Sequence, residues 1–435
     1  MKSLHFPRGF VLLLAGVFLL LASGMRHSTL IHQREEENLQ MVPPQDTTPL
    51  VTLTTVAFGG FRGLVADALW VRANNMQESG QFFEMVQLAK WITQLEPRVP
   101  EVWAFQAWNL AYNISVLFPE PEDRWRWVSH GINLLKEEGL LHNPTSPGLH
   151  WEIGWMYQHK IGMQFDLAHL TYKNQLAEHM ETALPDGTLP DESLSPEQRK
   201  ILTAEFSMDP NRMRSLDKAF GPLDWRIPET HSLYWSSKGL TYRANEFRTR
   251  SLRRMKMQSL SWLMRSGLLL KDQETGASIL LPRLDLIPTV QSHYEELLEG
   301  QPINRYLMNG YKNFLLDSAV MYAEYGRLSE SLDMYSQLAS IDESIPGGRE
   351  NFQSFIQSYL IRDPATLDRR QAMFRVVALL QNSQNPEIST VRSQGFVSMA
   401  SQVHRIYQES RTSEDHRKRT GLPPFDVIRR MLGAS

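Results

Sequence analysis

Apolar residues recur every three or four positions between residues 61 and 183, and glycines or prolines interrupt them at intervals. In "GQFFEMVQLAKWITQLEP", residues 80–97, a turn glycine opens a run with a single apolar stripe, and a proline closes it. This spacing is that of an amphipathic α-helix, because a strand would alternate every second residue. The pattern therefore predicts an all-α chain of helices joined by short turns.

The predicted helices recur in pairs. If Ala66 opens a first unit, a second unit opens thirty-four residues later at Pro100, and a third opens near Pro147. In each unit a small residue stands between large ones, an arrangement that lets two helices approach closely while the large side chains fill the gaps. A weaker copy lies at 310–343. Residues 80–97 are thus predicted to contain the second helix of the first pair.

The residues that carry this arrangement are Trp103, Ala107 and Leu110 in the second unit and Ile153, Gly154 and Tyr157 in the third. With this pattern the units resemble the tetratricopeptide-repeat family, and the resemblance implies a solenoid of helical hairpins with a concave groove. Two features depart from the family: Arg72 stands where it prefers leucine, and the second unit has roughly a dozen residues more than the usual length of about thirty-four. The stretches "FGGFRGLVADALWVRA", "FFEMVQLAKWIT" and "EVWAFQAWNLAYN" are also similar to those of membrane-anchored bacterial repeat proteins without an assigned activity.

The first 27 residues have a different pattern. Lys2 and Arg8 precede the uncharged run "GFVLLLAGVFLLLASGM", and Arg26 follows it. As a helix this run would be roughly 25 Å long, near the short limit for crossing a bilayer. We expect a single-pass signal-anchor. A cleaved signal peptide is the alternative, because residues 22–24 form a small-residue cleavage site. Both place the bulk of the chain outside the cytoplasm, in the periplasm if the source is Gram-negative.

Composition divides the remainder of the chain into further segments. Adjacent prolines mark a polar tether, and a stretch rich in proline, glycine and acidic residues indicates an irregular connection with short helical turns. The stretch "ASILLPRLDLIP" is strand-like, but its prolines keep it out of a sheet centre. The predicted organisation is an anchor at 1–27, a tether at 28–60, a repeat block at 61–183, a connection at 184–228, a second helical block at 229–382, and a C-terminal helix with a loose tail at 383–435.

Composition also narrows the range of functions. The 435 residues include 45 basic and 48 acidic side chains, so the chain lacks the positive field of a nucleic-acid-binding protein. It has no cysteine, which removes thiolate metal sites and cysteine nucleophiles. Phosphate-binding loops, metalloprotease motifs and dinucleotide fingerprints are also missing from the sequence. We expect no cofactor, metal or catalytic residue; the alternative is an enzyme of unrecognised type with a pocket between the repeat block and the 184–228 connection.

Two other groups of residues have both an ordinary and a functional interpretation. Five histidines lie between residues 142 and 179, each eight to ten residues from the next. They are interpreted as ordinary polar surface or capping residues. A metal site is the alternative, although this spacing does not place a pair on one helical turn as such a site normally does. The arginine-rich run "RTRSLRRMKMQSLSWLMR" is interpreted as a solvated helix face or, alternatively, as an attachment site for anionic lipid or an acidic partner.

Tryptophan gives the most specific prediction. Eight of the eleven tryptophans lie between residues 70 and 155, and several occupy the fifth or ninth position of a first repeat helix. In the family that the chain resembles, this phase faces the groove, where aromatic side chains with polar tips suit peptide recognition. The alternative is burial of these rings as core. The candidate partner-binding residues are Trp70, Asn74, Trp108, Tyr112, Trp151, Trp155 and His159.

These observations predict a membrane-anchored helical solenoid that binds a protein or peptide partner in an envelope assembly or secretion system. A purely structural spacer would have the same helices but would not use the groove residues. The sequence does not indicate an oligomeric state.

Overall fold

Helices make up most of the structure, a computed structural model that describes residues 62–190, 193–299 and 305–434. The all-α prediction is confirmed. The anchor expected at 1–27 and the tether expected at 28–60 lie outside the described residues. Among the residues that are described, no helix combines the length and the apolar character needed to cross a membrane.

Four of the first six helices, α2 to α5, begin at a turn glycine or a proline of the sequence. Proline stands at the first position of α3, α4 and α5, where its missing N–H removes no helical hydrogen bond. Gly80, between α1 and α2, has a φ of 72°, which glycine adopts without strain. The bounds are α1 Arg62–Glu78, α2 Phe82–Leu95, α3 Pro100–Trp108, α4 Pro121–Asn133, α5 Pro147–Trp155 and α6 His169–Glu181.

Three of these helices continue into wider, π-helical turns, which are rare in proteins. The continuation of α3 covers Asn109–Ile114, that of α4 covers Leu134–Gly139, and that of α5 covers Met156–Ile161. In α3 and α5 the wider turn starts directly after a tryptophan, at equivalent places in the two units. The two helices are therefore alike in backbone geometry as well as in sequence.

The remainder of the described chain is also helical, apart from one hairpin. Short 3₁₀ turns cover Leu284–Leu286 and Pro364–Thr366. The helices are α7 Pro196–Ala204, α8 Pro210–Phe220, α9 Pro228–Gly239, α10 Glu246–Ser266, α11 Ile287–Glu299, α12 Arg305–Glu324, α13 Leu328–Ile341, α14 Arg349–Leu360, α15 Arg369–Ser383, α16 Thr390–Glu409, α17 Glu414–Thr420 and α18 Phe425–Leu432.

The hairpin follows α10. Its strands β1 Leu268–Lys271 and β2 Ser278–Leu281 are antiparallel, with Leu268 opposite Leu281. The sequence pattern extends α10 through residue 270, whereas the helix ends at residue 266. Gly267 explains the difference, because a Cβ at this position would lie 2.1 Å from the carbonyl oxygen of Leu263. Only glycine allows the chain to turn this tightly toward the strand.

Neighbouring helices pack on one another along the chain. Helix α3 contacts α4 and α5, α5 contacts α9, α9 contacts α10, and α12 contacts α13. The small residues singled out in the sequence lie at such contacts, since Ala107 and Gly154 are both buried. In α4, a Cβ on Gly131 would lie only 2.7 Å from the carbonyl oxygen of Ala107. Close approach of α3 and α4 therefore depends on this glycine.

One apolar core extends from α3 to α14, and smaller clusters lie beside it. The 184–228 segment contributes to the main core through α7 and α8, whose buried side chains include Leu202, Met213 and Phe220. This segment is more regular than the short turns expected from its composition. The C-terminal segment also differs from the loose tail expected, because Val427 and Ile428 of α18 are buried against α15.

Candidate functional site

Five of the seven residues selected from the sequence lie side by side on α3 and α5. On α5, the ring of Trp155 stacks between those of Trp151 and His159, with centroid distances of 5.3 and 4.6 Å. On α3, Trp108 stacks on Tyr112 at 5.3 Å. The Tyr112 hydroxyl lies 3.2 Å from His159 Nδ1 and joins the two helices. We call these five residues the aromatic ladder.

The four-residue spacing of the ladder residues explains the stacking within each helix. Side chains at i and i+4 lie one above the other on a helix face, as Trp151 and Trp155 do. The contact between the two helices has a different origin. It arises because α3 and α5 pack side by side and place Tyr112 and His159, which are equivalent positions of two units, opposite one another.

The ladder lies at the surface of the described part of the chain. Trp108 is 37% exposed, and the other four ladder residues are half-buried. Phe165, which is 73% exposed, adds a ring beside the middle of the ladder, because its ring lies 5.3 Å from that of His159. The rings therefore form a continuous apolar surface with polar tips, distinct from the core beneath it.

Cationic groups lie close to the ladder. The Arg248 guanidinium carbon lies 5.2 Å from the centroid of Trp151, and Lys160 Nζ lies 5.2 Å from that of Tyr112. Both distances are within the range of a cation–π interaction. Burial and the neighbouring Lys160 lower the pKa of His159, so its ring is neutral at pH 7.

Glu152 is an acidic group whose charge acts on the ladder residue Tyr112. Burial raises the pKa of its carboxyl to about 7, although Arg248 acts in the opposite direction. Burial and the charge of Glu152 also raise the pKa of Tyr112, which keeps the phenol protonated. Protonation of Glu152 consequently changes the net charge beside the ladder close to neutral pH.

An ion-pair network holds the loop that carries Phe165. Asp166 accepts hydrogen bonds from Lys160 Nζ at 2.6 Å, Tyr172 OH at 3.0 Å and Arg124 Nη1 at 3.1 Å. Burial alone would raise the pKa of Asp166, but the hydrogen bonds from Lys160 and the Ala168 backbone lower it to about 2. The loop is thus fixed beside the ladder by a carboxylate that stays ionised at neutral pH.

The two remaining candidates do not join the ladder. Trp70 packs edge-on against Phe105 at 4.8 Å within the small cluster formed by α1, α2 and the start of α3. Asn74 is exposed on α1. The first unit has no aromatic residue at the ninth position, so it does not extend the ladder in the way that the second and third units do.

Sequence reasoning missed three residues at this surface. Phe165 lies in a loop, where helical periodicity gives no information. Glu152 is adjacent to a ladder tryptophan but occupies a different phase of the helix. Arg248 belongs to the arginine-rich run noted in the sequence, yet only the packing of α10 near α5 places it over Trp151.

Three cavities of the described chain lie away from the ladder and have volumes of about 600, 260 and 350 Å³. None of their lining residues comes from the 184–228 segment. Among the residues that the structure describes, no three His, Asp or Glu side chains cluster as metal ligands would. Of the five histidines noted in the sequence, His142 stacks on Trp103 at 5.6 Å, and buried His150 contacts the Ser146 carbonyl oxygen at 2.7 Å.

Comparison with known proteins adds no assignment. No family model matches the sequence, and no curated protein matches it significantly.

Proposed function

We propose that the protein is a membrane-anchored scaffold of the tetratricopeptide-repeat type that binds a protein or peptide partner through the aromatic ladder. Residues 1–27 would hold it in the membrane, and the helical part would act outside the cytoplasm, in an envelope assembly or secretion system. The mechanism is non-covalent: a rigid helical surface presents rings and polar tips to the partner.

The observation that carries this proposal is the continuous stacking of the ladder at the surface. Successive ring centroids lie 4.6 to 5.8 Å apart across two helices. Partly exposed tryptophan and tyrosine side chains supply large contact areas, and they lose little conformational entropy on binding when stacking already fixes their rotamers. A surface of this kind is pre-organised for an apolar or aromatic anchor of a partner.

The charges beside the ladder indicate the character of the partner. Arg248 and the partly exposed rings favour a segment that combines apolar side chains with at least one acidic residue. Glu152 opposes such a partner when it is ionised. We therefore expect the partner to be retained better at pH 6 than at pH 8.

Affinity purification from detergent-extracted membranes tests the proposal. The Trp108→Ala, Trp155→Ala double variant removes one large ring from each helix. We expect at least a tenfold loss of the specific partner, because truncation of central aromatic residues typically costs about 2 kcal/mol or more. Trp91→Ala is the matched control, since Trp91 is 49% exposed on α2 and outside the ladder.

The comparison requires that all three proteins fold. Thermal unfolding and circular dichroism of the purified variants supply that check. A folded double variant that retains the same partners as wild type, in the same amounts, would overturn the proposal. The helical array would then be interpreted as a structural spacer.

A further inference from the structure

A second surface feature, remote in sequence from the ladder, is a cleft between α10, α12, α14 and α15. It has a volume of about 350 Å³, and four arginines line it. Trp262 forms part of its wall, and the Arg370 guanidinium carbon lies 4.1 Å from the centroid of that indole. We call it the arginine cleft. Its arginines are Arg265, Arg362, Arg370 and Arg375, and its acidic lining residues are Asp317, Glu324 and Asp368.

Internal contacts account for most of these charges but not for all of them. Arg375 Nε donates to Glu324 Oε1 at 3.2 Å, and Arg265 pairs with Asp317. Asp368 is the N-cap of α15 and accepts a hydrogen bond from the backbone N–H of Gln371. Arg362 stacks on Tyr359 at 5.1 Å and has no acidic partner among the described residues. Arg370 pairs with Glu229, so the exposed Arg362 guanidinium remains as the cleft cation that no described carboxylate balances.

Two buried polar atoms in the cleft lack a hydrogen-bond partner within the described protein. They are Arg370 Nη1 and Glu324 Oε2. The other Arg370 nitrogen, Nη2, donates to the Gly162 carbonyl oxygen at 2.7 Å and to Glu229 Oε1 at 3.2 Å, which fixes the guanidinium in place. Buried polar atoms of folded proteins are nearly always hydrogen-bonded. Two atoms without a partner, on two residues that line the same cleft, therefore indicate a ligand.

We propose that the arginine cleft binds a small molecule that carries an oxyanion, either a carboxylate or a phosphate. Arg370 Nη1 and the Arg362 guanidinium donate to the oxyanion, and Glu324 Oε2 bonds to another polar group of the same ligand. Guanidinium groups suit both kinds of oxyanion because their planar N–H donors match paired oxygen acceptors.

The cleft also limits the size and polarity of the ligand. At about 30 Å³ per water molecule it holds the equivalent of roughly a dozen waters, which is at the lower end of ligand pockets. Burial raises the pKa of Glu324, although the ion pair with Arg375 acts in the opposite direction. Paired with Arg375, the carboxylate has a second oxygen, Oε2, that accepts a hydrogen bond from the ligand. A compact anion with a neighbouring hydrogen-bond donor fits this arrangement.

Isothermal titration calorimetry of the full-length, detergent-extracted protein tests the proposal. Inorganic phosphate and pyrophosphate represent one source of oxyanion, and succinate and citrate represent the other. We expect at least one of the two classes to bind with a Kd below about 1 mM, an affinity within reach of a few charge-assisted hydrogen bonds. The class that binds identifies the oxyanion.

Two cleft variants and one control connect binding to the cleft. Arg362→Ala removes an exposed, unpaired cation, and Glu324→Gln preserves the shape of a buried side chain. We expect the Kd to rise at least about fivefold in one or both. Arg349→Ala removes an exposed arginine at the other end of α14 and should leave the Kd unchanged.

The titrations have results that support the proposal and results that contradict it. Weaker binding in a cleft variant, with wild-type binding in Arg349→Ala, supports the proposal. The absence of binding by all four anions up to about 10 mM, equal binding by all variants, or equal weakening in the control would overturn it. The ladder takes no part in this experiment, so its result is independent of the proposed scaffold function.

Discussion

The aromatic ladder and the arginine cleft are assembled in different ways from the same kind of helix. The ladder repeats one local arrangement, stacking at i and i+4, on two neighbouring units, and Tyr112 and His159 join them. The cleft joins residues that are more than a hundred positions apart, such as Trp262 and Arg370. A surface made by local spacing is visible in a sequence, whereas one made by long-range packing is not.

The two regions also differ in the interactions that hold them. Ring stacking and partial burial fix the ladder, so the loss of one ring leaves its neighbours in place. The cleft depends on buried ion pairs, in which the loss of one partner leaves a charge without compensation. We therefore expect substitutions in the cleft to affect stability more than comparable substitutions in the ladder.

The largest expected effect is that of Arg375→Met. It leaves the Glu324 carboxyl, whose side chain is 7% exposed, without its ion-pair partner, and it removes hydrogen bonds to two backbone carbonyls. We expect the free energy of unfolding to fall by about 3–5 kcal/mol in urea denaturation. Arg126→Met breaks an exposed ion pair with Asp123 and should cost about 0.5 kcal/mol or less. Equal effects would mean that burial does not set the contribution of the Arg375–Glu324 pair to stability.

A smaller effect is expected from Gly131→Val, which forces α4 away from α3. Because a Cβ at this position would lie 2.7 Å from the Ala107 carbonyl oxygen, the helices must separate beside Trp108. We expect a loss of about 2–3 kcal/mol, together with a change in the near-ultraviolet circular dichroism of the ladder rings.

Gly395→Ala is the control for this substitution. Gly395 also lies within a helix, α16, but no atom lies within 4 Å of the added Cβ. Stability should stay the same or rise by up to about 1 kcal/mol, because alanine is the better helix former. A Gly131→Val variant as stable as the control would mean that close approach of α3 and α4 does not support the ladder.

The smallest expected effect is pH-dependent and belongs to Glu152. Its pKa is about 7 in the folded protein and about 4.5 ordinarily, so between these values the folded state holds a proton that the unfolded state has lost. Stability contributed by this group therefore falls as the pH rises from about 4.5 to 7. We expect Glu152→Gln to match wild type at pH 4 and to be more stable by about 1–2 kcal/mol at pH 8.

Denaturation at the two pH values measures this difference directly. Glu122→Gln, at an exposed position of α4, serves as the control for the substitution itself. If the gain from Glu152→Gln were the same at pH 4 and pH 8, burial of the Glu152 carboxyl would not be its cause.

Much of the helical fold could be predicted from the sequence, and the reasons are local. Turn glycines such as Gly80 and first-turn prolines such as Pro100 and Pro147 mark helix boundaries by their backbone restrictions. The strand after Gly267 was missed, because its leucines continue the apolar pattern of α10. The burial of α18 was also missed, since a charged tail shows no signal for the distant partner that covers it.

The candidate site could be predicted only in part, for the same reason. Helical phase identified the five ladder residues, but it also selected Trp70 and Asn74, which the packing of α1 places apart. Phase gave no indication of Phe165, which a loop carries, or of the partner-free Arg370 Nη1. Only tertiary contacts bring such groups to a common surface.

The central claim is that the aromatic ladder contacts a partner, and site-specific photo-crosslinking in intact cells tests it most directly. A photoreactive phenylalanine would replace Trp108, Trp155 or, as the control, Trp91. We expect the same crosslinked partner from positions 108 and 155 and none from position 91. Adducts of equal intensity from all three positions, or none from positions 108 and 155 in a folded protein, would contradict the account.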